Sequence, residues 1–290
     1  MKISLLTSHE PLIENKRIEE EVRAMGHEFE LVETNDKPIS IENSTISAGD
    51  LSNIKTDILI VRGVFQSLKT LSQIILKNRD HGVKIFDNNL LDHLYSIDKR
   101  RDTISLALDN IPVPNTCIPR SWDEVRNYAM SRQFPMVIKP ARMGKGNGVT
   151  KLVNLSDLEE FIQKKSSEDK EAKSFLIQEF IPYVVDLRIL VIGDDVFVMR
   201  RIPKEGEFRA NFSLGGDVEL YDLDEEGHKM AIDACLSVGL SVAGVDMLIT
   251  NDNKRYILEV NHTPGFVGME LAYKKNIAKI FVENAIAKAI

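Results

Sequence analysis

Two apolar stretches, Val242-Ala243-Gly244-Val245-Asp246-Met247-Leu248 and Ile257-Leu258-Glu259-Val260-Asn261, constrain this chain more than any other feature. Each reads as a strand, and each carries a carboxylate. If they pair as a hairpin through a turn centred on Asp252-Asn253, Asp246 stands directly opposite Glu259, with Asn261 two residues further on the same face. Two carboxylates opposed in otherwise apolar strands repel, and charges buried without partners are costly. A divalent cation resolves the conflict. Oxygen ligands from Asp246, Glu259 and Asn261 suit Mg²⁺ or Mn²⁺, which also take phosphate oxygens and water. The plain alternative is a solvated sheet face, which gives no reason for the polar residues to stop at these three positions.

At 290 residues, 43% of them apolar, the chain can fill the cores of about two domains. Lys2 to Thr7 reads as a buried strand, and Ile18, Val22 and Met25 repeat at helical spacing before Gly26. Strand Asp57 to Arg62, helix Ser67 to His81 and strand Val83 to Asp87 continue the pattern, which predicts a small parallel α/β unit. The polar run Glu33 to Asp50 shows no period and reads as a loop. Asp98 to Asp109 is helical, Ile111-Pro112-Val113-Pro114 is extended, and Met136 to Lys139 is a strand entering a glycine-rich loop, with Val149 to Val153 beyond it. Ser156, with Glu159 three residues on, is read as a helix cap, and Lys164 to Ser174, seven charges in eleven residues, as an exposed connector. After that, strands Phe175 to Ile181, Leu187 to Ile192, Val196 to Ile202, Val242 to Thr250 and Tyr256 to Val260 alternate with helices near Glu225 to Leu240 and after Met269. Short turns there predict antiparallel hairpins. The expected class is α/β: a parallel α/β domain over 1–94 followed by two α+β domains over 95–174 and 175–290.

Several function classes are excluded. The net charge of −7 argues against a nucleic-acid or anionic-membrane surface. The longest stretch without Asp, Glu, Lys or Arg is the twelve residues Ala234 to Val245, short of the roughly 20 that a membrane-spanning helix needs. Lys2 is followed by only four apolar or small residues, too few for a secretory signal, so a cytoplasmic location is expected. Cys117 and Cys235 lie far apart without Cys-x-x-Cys spacing and read as reduced packing residues.

Other groups of residues point to a phosphate-bearing ligand. Gly144-Lys145-Gly146-Asn147-Gly148 gathers three of the sixteen glycines between two strands, where free N–H groups can wrap phosphate oxygens and a lysine adds charge. It is neither a Walker loop nor a dinucleotide fingerprint, and an ordinary glycine turn is its plain alternative. Phe175-Leu176-Ile177-Gln178-Glu179-Phe180-Ile181 offers an apolar wall and backbone groups to an adenine, with Asp186 nearby for ribose hydroxyls, although most such strands are plain core. Arg188, Arg200, Arg201 and Arg209, with Asn211, fall within 24 residues and could hold planar oxyanions, or form a solvated face. Lys99 stands at a helix start, where a cation opposes the helix dipole and so suggests a ligand. His262 beside Asn261 has no visible partner, and the Thr263-Pro264-Gly265 turn explains a polar residue there equally well.

In this order the pieces resemble the ATP-grasp superfamily, specifically its RimK-like ligases, over nearly the whole chain. The resemblance is carried by Asp98-Lys99, Val137-Ile138-Lys139 with its glycine loop, Ile177-Gln178-Glu179-Phe180, Asp186-Leu187-Arg188, Glu205 to Asn211 through Gly215-Gly216, Ala243-Gly244-Val245-Asp246 and Leu258-Glu259-Val260-Asn261. It implies two α+β domains enclosing a nucleotide behind an N-terminal pre-ATP-grasp domain. Lys99, Lys139 and the loop Gly144, Lys145, Gly146 and Gly148 would contact ATP phosphates, Gln178, Glu179, Phe180 and Ile181 the adenine, and Asp186 the ribose. Asp246, Glu259 and Asn261 match magnesium positions for two Mg²⁺ (or Mn²⁺) ions, and Arg188, Arg209 and Asn211 match positions at the reacting phosphoryl group. The implied activity is ATP-dependent ligation of an amine to a carboxylate through an acyl phosphate, adding an amino acid such as glutamate to a carboxylate or to a protein or peptide C-terminus. A homo-oligomer is expected, with neither nucleic acid nor membrane as partner. The departure is His262-Thr263-Pro264-Gly265-Phe266, where related ligases acting on amino-group carrier proteins share the Asn-His-Thr start. A carrier-protein acceptor, or a nucleotide-binding module without ligation, is the alternative.

Overall fold

The computed structural model describes residues 1–8, 12–34, 39–48, 51, 54–64, 68–87, 98–144, 147–203 and 217–290. The first segment builds β1 (Lys2–Thr7), α1 (Ile13–Ala24), β2 (Glu28–Glu33), β3 (Ser40–Glu42), β4 (Thr45–Ser47), β5 (Ile58–Val61), α2 (Leu68–Asp80) and β6 (Lys84–Phe86). Strands β2, β1, β5 and β6 form one sheet in that order, with every pairing parallel. The two central strands bury every residue from Ile3 to Thr7 and from Ile58 to Val61, as parallel strands covered on both faces require. The sequence reading has no strand at β2, where only Val32 is buried and interspersed glutamates weaken the apolar signal. Nor is 33–50 simply a loop. It contains the β3–β4 hairpin, closed by Asn43 and Ser44 at positive φ (48° and 63°), the conformation that tight hairpin turns demand.

Helix α3 (Lys99–Leu108), capped by the Asp98 carboxylate accepting from Arg100 N–H, leads into β7 (Thr116–Cys117), α4 (Trp122–Met130), β8 (Met136–Pro140), β9 (Thr150–Leu152), α5 (Leu155–Ser167) and β10 (Phe175–Glu179). These strands form an antiparallel sheet ordered β7-β10-β8-β9. A division at 174/175 therefore parts β10 from its sheet. The cap of α5 is Asn154, whose Oδ1 accepts from Asp157 N–H at 3.0 Å, and not Ser156, which is already inside the helix. The expected connector 164–174 is also corrected: α5 runs on to Ser167, with Lys164 and Lys165 in its last turn where the dipole favours them, and Ala172–Ser174 form one 3₁₀ turn.

The last segment contains β11 (Val185–Ile192), β12 (Asp195–Ile202), β13 (Asp217–Leu220), α6 (Glu225–Ser237), β14 (Val242–Ile249), β15 (Arg255–Asn261), α7 (Val267–Tyr273) and α8 (Ile277–Lys288). Its antiparallel sheet is ordered β13-β12-β11-β14-β15. Leu187, Ile189, Val245 and Met247 pack in one cluster with Ala231 and Cys235 of α6 and with Leu59 and Val61 of β5. Leu190, Ile192 and Phe197 belong to a second, with Phe281 and Val282 of α8 and Ile3 and Leu5 of β1. The first and last segments thus share two cores. The middle segment has its own, drawn from Val125, Ile138, Phe161, Phe175 and Ile177 among others. Both cysteines are free, as expected, and among the described residues no helix is long and apolar enough to cross a membrane.

Candidate functional site

Strands β14 and β15 pair Asp246 with Glu259 and Gly244 with Asn261, as the sequence reading requires. The route to that register differs. Ile249 pairs with Arg255, one residue off a turn centred on Asp252-Asn253, and a bulge at Leu258 makes up the difference. The bulged residue has a use, since Lys139 Nζ donates to the Leu258 carbonyl at 3.1 Å.

Across four strands, Met199, Arg188, Asp246 and Glu259 stand side by side, and Arg201, Asp186 and Leu248 form the adjacent row on the same face. Arg188 Nη1 donates to Asp246 Oδ1 at 2.7 Å, and Arg201 Nη1 to Asp246 Oδ2 at 3.1 Å. Arg201 also donates from Nε (2.8 Å) and Nη2 (2.5 Å) to Asp186 Oδ1. Arg200, one residue away, points to the other face and meets Glu219 and the Val184 carbonyl. The arginines are therefore divided between the faces, and the buried Arg201, absent from the predicted site, belongs in it. Its position was legible: a two-residue turn at Gly193-Asp194 puts Arg201 opposite Asp186.

Charge in this cluster is set by burial against pairing. Burial pushes the Asp246 carboxyl up, but Arg201 and Arg188 outweigh it and hold it below the ordinary carboxylate value. Burial raises Asp186 to about 6, with Arg201 limiting the rise. Burial works against the Arg201 charge, yet Asp246 and Asp186 hold it firmly cationic.

The lysines approach from the other segments. Lys99, the first residue of α3, is buried, with Nζ 3.2 Å from Glu259 Oε1 and donating to the Met143 carbonyl. Burial lowers Lys139 to about 8, with Glu259 opposing and Lys99 reinforcing the shift. Four cations thus face three carboxylates, an excess that favours an anionic ligand. The donor set also fits a hard cation. Among the described residues Asn261 Oδ1 accepts only from Thr263 N–H, Glu259 is part-exposed, and its Oε2 is unbonded. Among those residues no three His, Cys, Asp or Glu side chains converge, and both Asp246 oxygens accept from Arg188 and Arg201, so Glu259 and Asn261 supply the oxygens open to a cation and Asp246 joins them only by exchanging an arginine for it.

Elsewhere the expected residues fare differently. Gly148 has φ +73°, and a Cβ there would stand 2.8 Å from Pro140 Cγ, so glycine is required; Gly144 has open space around it. Gln178 donates to Thr116 Oγ1 (2.7 Å) and Glu179 accepts from Asn115 Nδ2 (2.8 Å), so both side chains serve the sheet edge. Phe180 carries Lys151 Nζ 3.8 Å from its ring centroid, and Ile181 is buried. Asp186, expected at a ribose, is instead engaged by Arg201. Lys145, Gly146, Arg209 and Asn211 lie outside the described residues. His262 is turned inward, its Nε2 3.0 Å from Asp102 Oδ2, a pairing that nothing in the sequence signals.

Residues 96–285 match the RimK-like ATP-grasp domain. Over its whole length the chain is 29% identical to the probable alpha-L-glutamate ligase of Shewanella loihica and 30% identical to that of Legionella pneumophila, covering 96% of each. The solved structure of the ATP-grasp ligase PsnB with a minimal precursor superposes with a TM-score of 0.73 at 19% identity, over 99% of this chain and 98% of that one. Another structure of PsnB contains Mg and ADP. The likeness to PsnB establishes the fold, and the domain match establishes the lineage. The chain belongs to the RimK-like ATP-grasp family and is an ATP-dependent ligase.

Proposed function

We propose that this ligase joins an amino acid such as glutamate to a carboxylate, free or at a protein or peptide C-terminus, through an acyl phosphate. The observation that carries the reading is the mixed-charge face, where Lys99, Lys139, Arg188 and Arg201 surround Asp246 and Glu259. The names of the Shewanella and Legionella relatives support glutamate as the amine, and the PsnB complexes support a peptide acceptor and Mg-nucleotide.

A free carboxylate is a poor electrophile. The substrate carboxylate oxygen attacks the γ-phosphorus of ATP and ADP leaves; the amine nitrogen then attacks the acyl carbon, phosphate leaves and the amine gives up a proton. Asp246, Glu259 and Asn261 would hold Mg²⁺, which when bound neutralises charge on the phosphoryl oxygens. Lys99, Lys139 and the Gly144–Gly148 turn, by the family resemblance, serve the phosphates, and Arg188, with Arg209 and Asn211, the transferred group. Ile181 N–H, unpaired among the described residues, is free to read an adenine edge. The second reading, an amino-group carrier protein as acceptor, is supported by the Asn261-His262-Thr263 start.

Screening amino acids against carboxylates and peptides for ADP release, with product mass measured, tests the reading. The expected result is ADP release that requires both partners and a product heavier by one amino acid less water. ADP release without a joined product would overturn it.

A further inference from the structure

We infer that His262 and Asp102 form a brace keeping α3 aligned with the end of β15 when Lys99 and Glu259 engage nucleotide and metal. The inference rests on the ligase reading above.

The His262 side chain is 2% exposed and that of Asp102 6%, so neither can touch a substrate; their 3.0 Å hydrogen bond is sealed inside. Asp102 follows Lys99 by three residues on α3, so the two project from the same face of the helix. His262 follows Glu259 by the same three residues. Helix and strand are therefore tied twice, once by Lys99–Glu259 at 3.2 Å and once by Asp102–His262.

The two ties differ in what a ligand does to them. Glu259 is 28% exposed, and both members of its pair are groups that a nucleotide and a cation would claim. When Lys99 turns to phosphate and Glu259 to a metal, that tie is given up. The start of α3 is otherwise bonded to the middle segment, through Lys99 N–H to the Ala141 carbonyl (2.9 Å) and Arg100 Nη1 to the Lys173 carbonyl (2.5 Å). The sealed pair stays in place, a side-chain bond that keeps Lys99 at a fixed distance from Glu259 and Asn261. His262 and Asp102 are positioning residues.

The test uses His262→Leu, which removes the bond, and His262→Gln, whose amide has similar reach. Unliganded melting, the rise in melting temperature on adding Mg-ADP, and KM for Mg-ATP against kcat are measured for both and for the wild type. His262→Leu should raise KM about tenfold and shrink the Mg-ADP shift, with kcat less affected, and His262→Gln should restore both. If His262→Leu only lowers the unliganded melting temperature, leaving KM and the Mg-ADP shift as in the wild type, the brace is refuted and the ligase reading stands. If the wild type itself shows no Mg-ADP shift, both fall. Should His262→Leu not fold, Asp102→Ala puts the same question from the helix side; failure of both to fold would make the pair purely structural and overturn the inference.

Discussion

Arg188 lies across Gly244: a Cβ at position 244 would stand 2.8 Å from the guanidinium carbon and from Nη2. The absence of a side chain on β14 thus gives Arg188 its path to Asp246, two residues along the same strand face. In Gly244→Ala the flexible end of the arginine gives way more easily than the backbone. We expect a stability loss of about 1 kcal/mol and a turnover loss of about 10². Melting and kcat measured on one preparation check this, and unchanged turnover would show that the Arg188–Asp246 alignment is not used.

Glu259→Gln keeps the volume and removes the charge that faces Asp246 across the pair. It should leave the fold intact and lower turnover by about a hundredfold or more through loss of metal binding. A steady-state assay at saturating Mg²⁺ decides the point, and near-wild-type turnover there would remove Glu259 from the metal site.

Arg201 and Arg188 both bond Asp246, but only Arg201 also bonds Asp186, and its side chain is 8% exposed against 24% for Arg188. Arg201→Met should therefore cost about 3–5 kcal/mol, since it strands the buried Asp186 carboxylate and leaves Asp246 with Arg188 alone. Arg188→Met should cost less stability and more turnover. Urea denaturation of the two variants separates the roles, and equal losses would contradict the division.

Lys139 has its pKa lowered to about 8 by burial, so in the free protein it is an ammonium below pH 8 and loses its charge above. Anion binding needs the charged form. Affinity for Mg-ADP should accordingly be flat up to about pH 8 and weaken by up to about tenfold per unit beyond it, and Lys139→Met should flatten the profile. Calorimetric titration between roughly pH 6.5 and 9.5 measures this, and a flat wild-type profile would mean the ammonium does not contact the anion.

The opposition of Asp246 and Glu259 was legible because both strands are apolar apart from the site residues, so that alternation fixes the face. The bulge at Leu258 was not, since no composition signals it, and a turn assigned one residue off happened to compensate for it. Asn154 is hard to read as the cap because Ser156 and Glu159 make the more familiar pair, although the helix starts two residues earlier. Strand β10 reads equally well as the end of one unit or the start of another, because an apolar run names no neighbour; its pairing with β8 is a long-range fact. Asp102 and His262, 160 residues apart, are invisible for the same reason.

From α4 to β10 the middle segment packs its apolar side chains into a core of its own, while Leu106 and Ile111 before it join one of the two clusters in which the first and last segments interleave. This bears on how the molecule comes apart. Amides of β8 and β10 can exchange with solvent through an opening confined to their own segment, with its own free energy. Amides of β1 and β14, at opposite ends of the chain, should become exposed together. The cooperative unit is discontinuous in sequence, and on the ribosome its first half must wait for its second while the middle segment can already be folded.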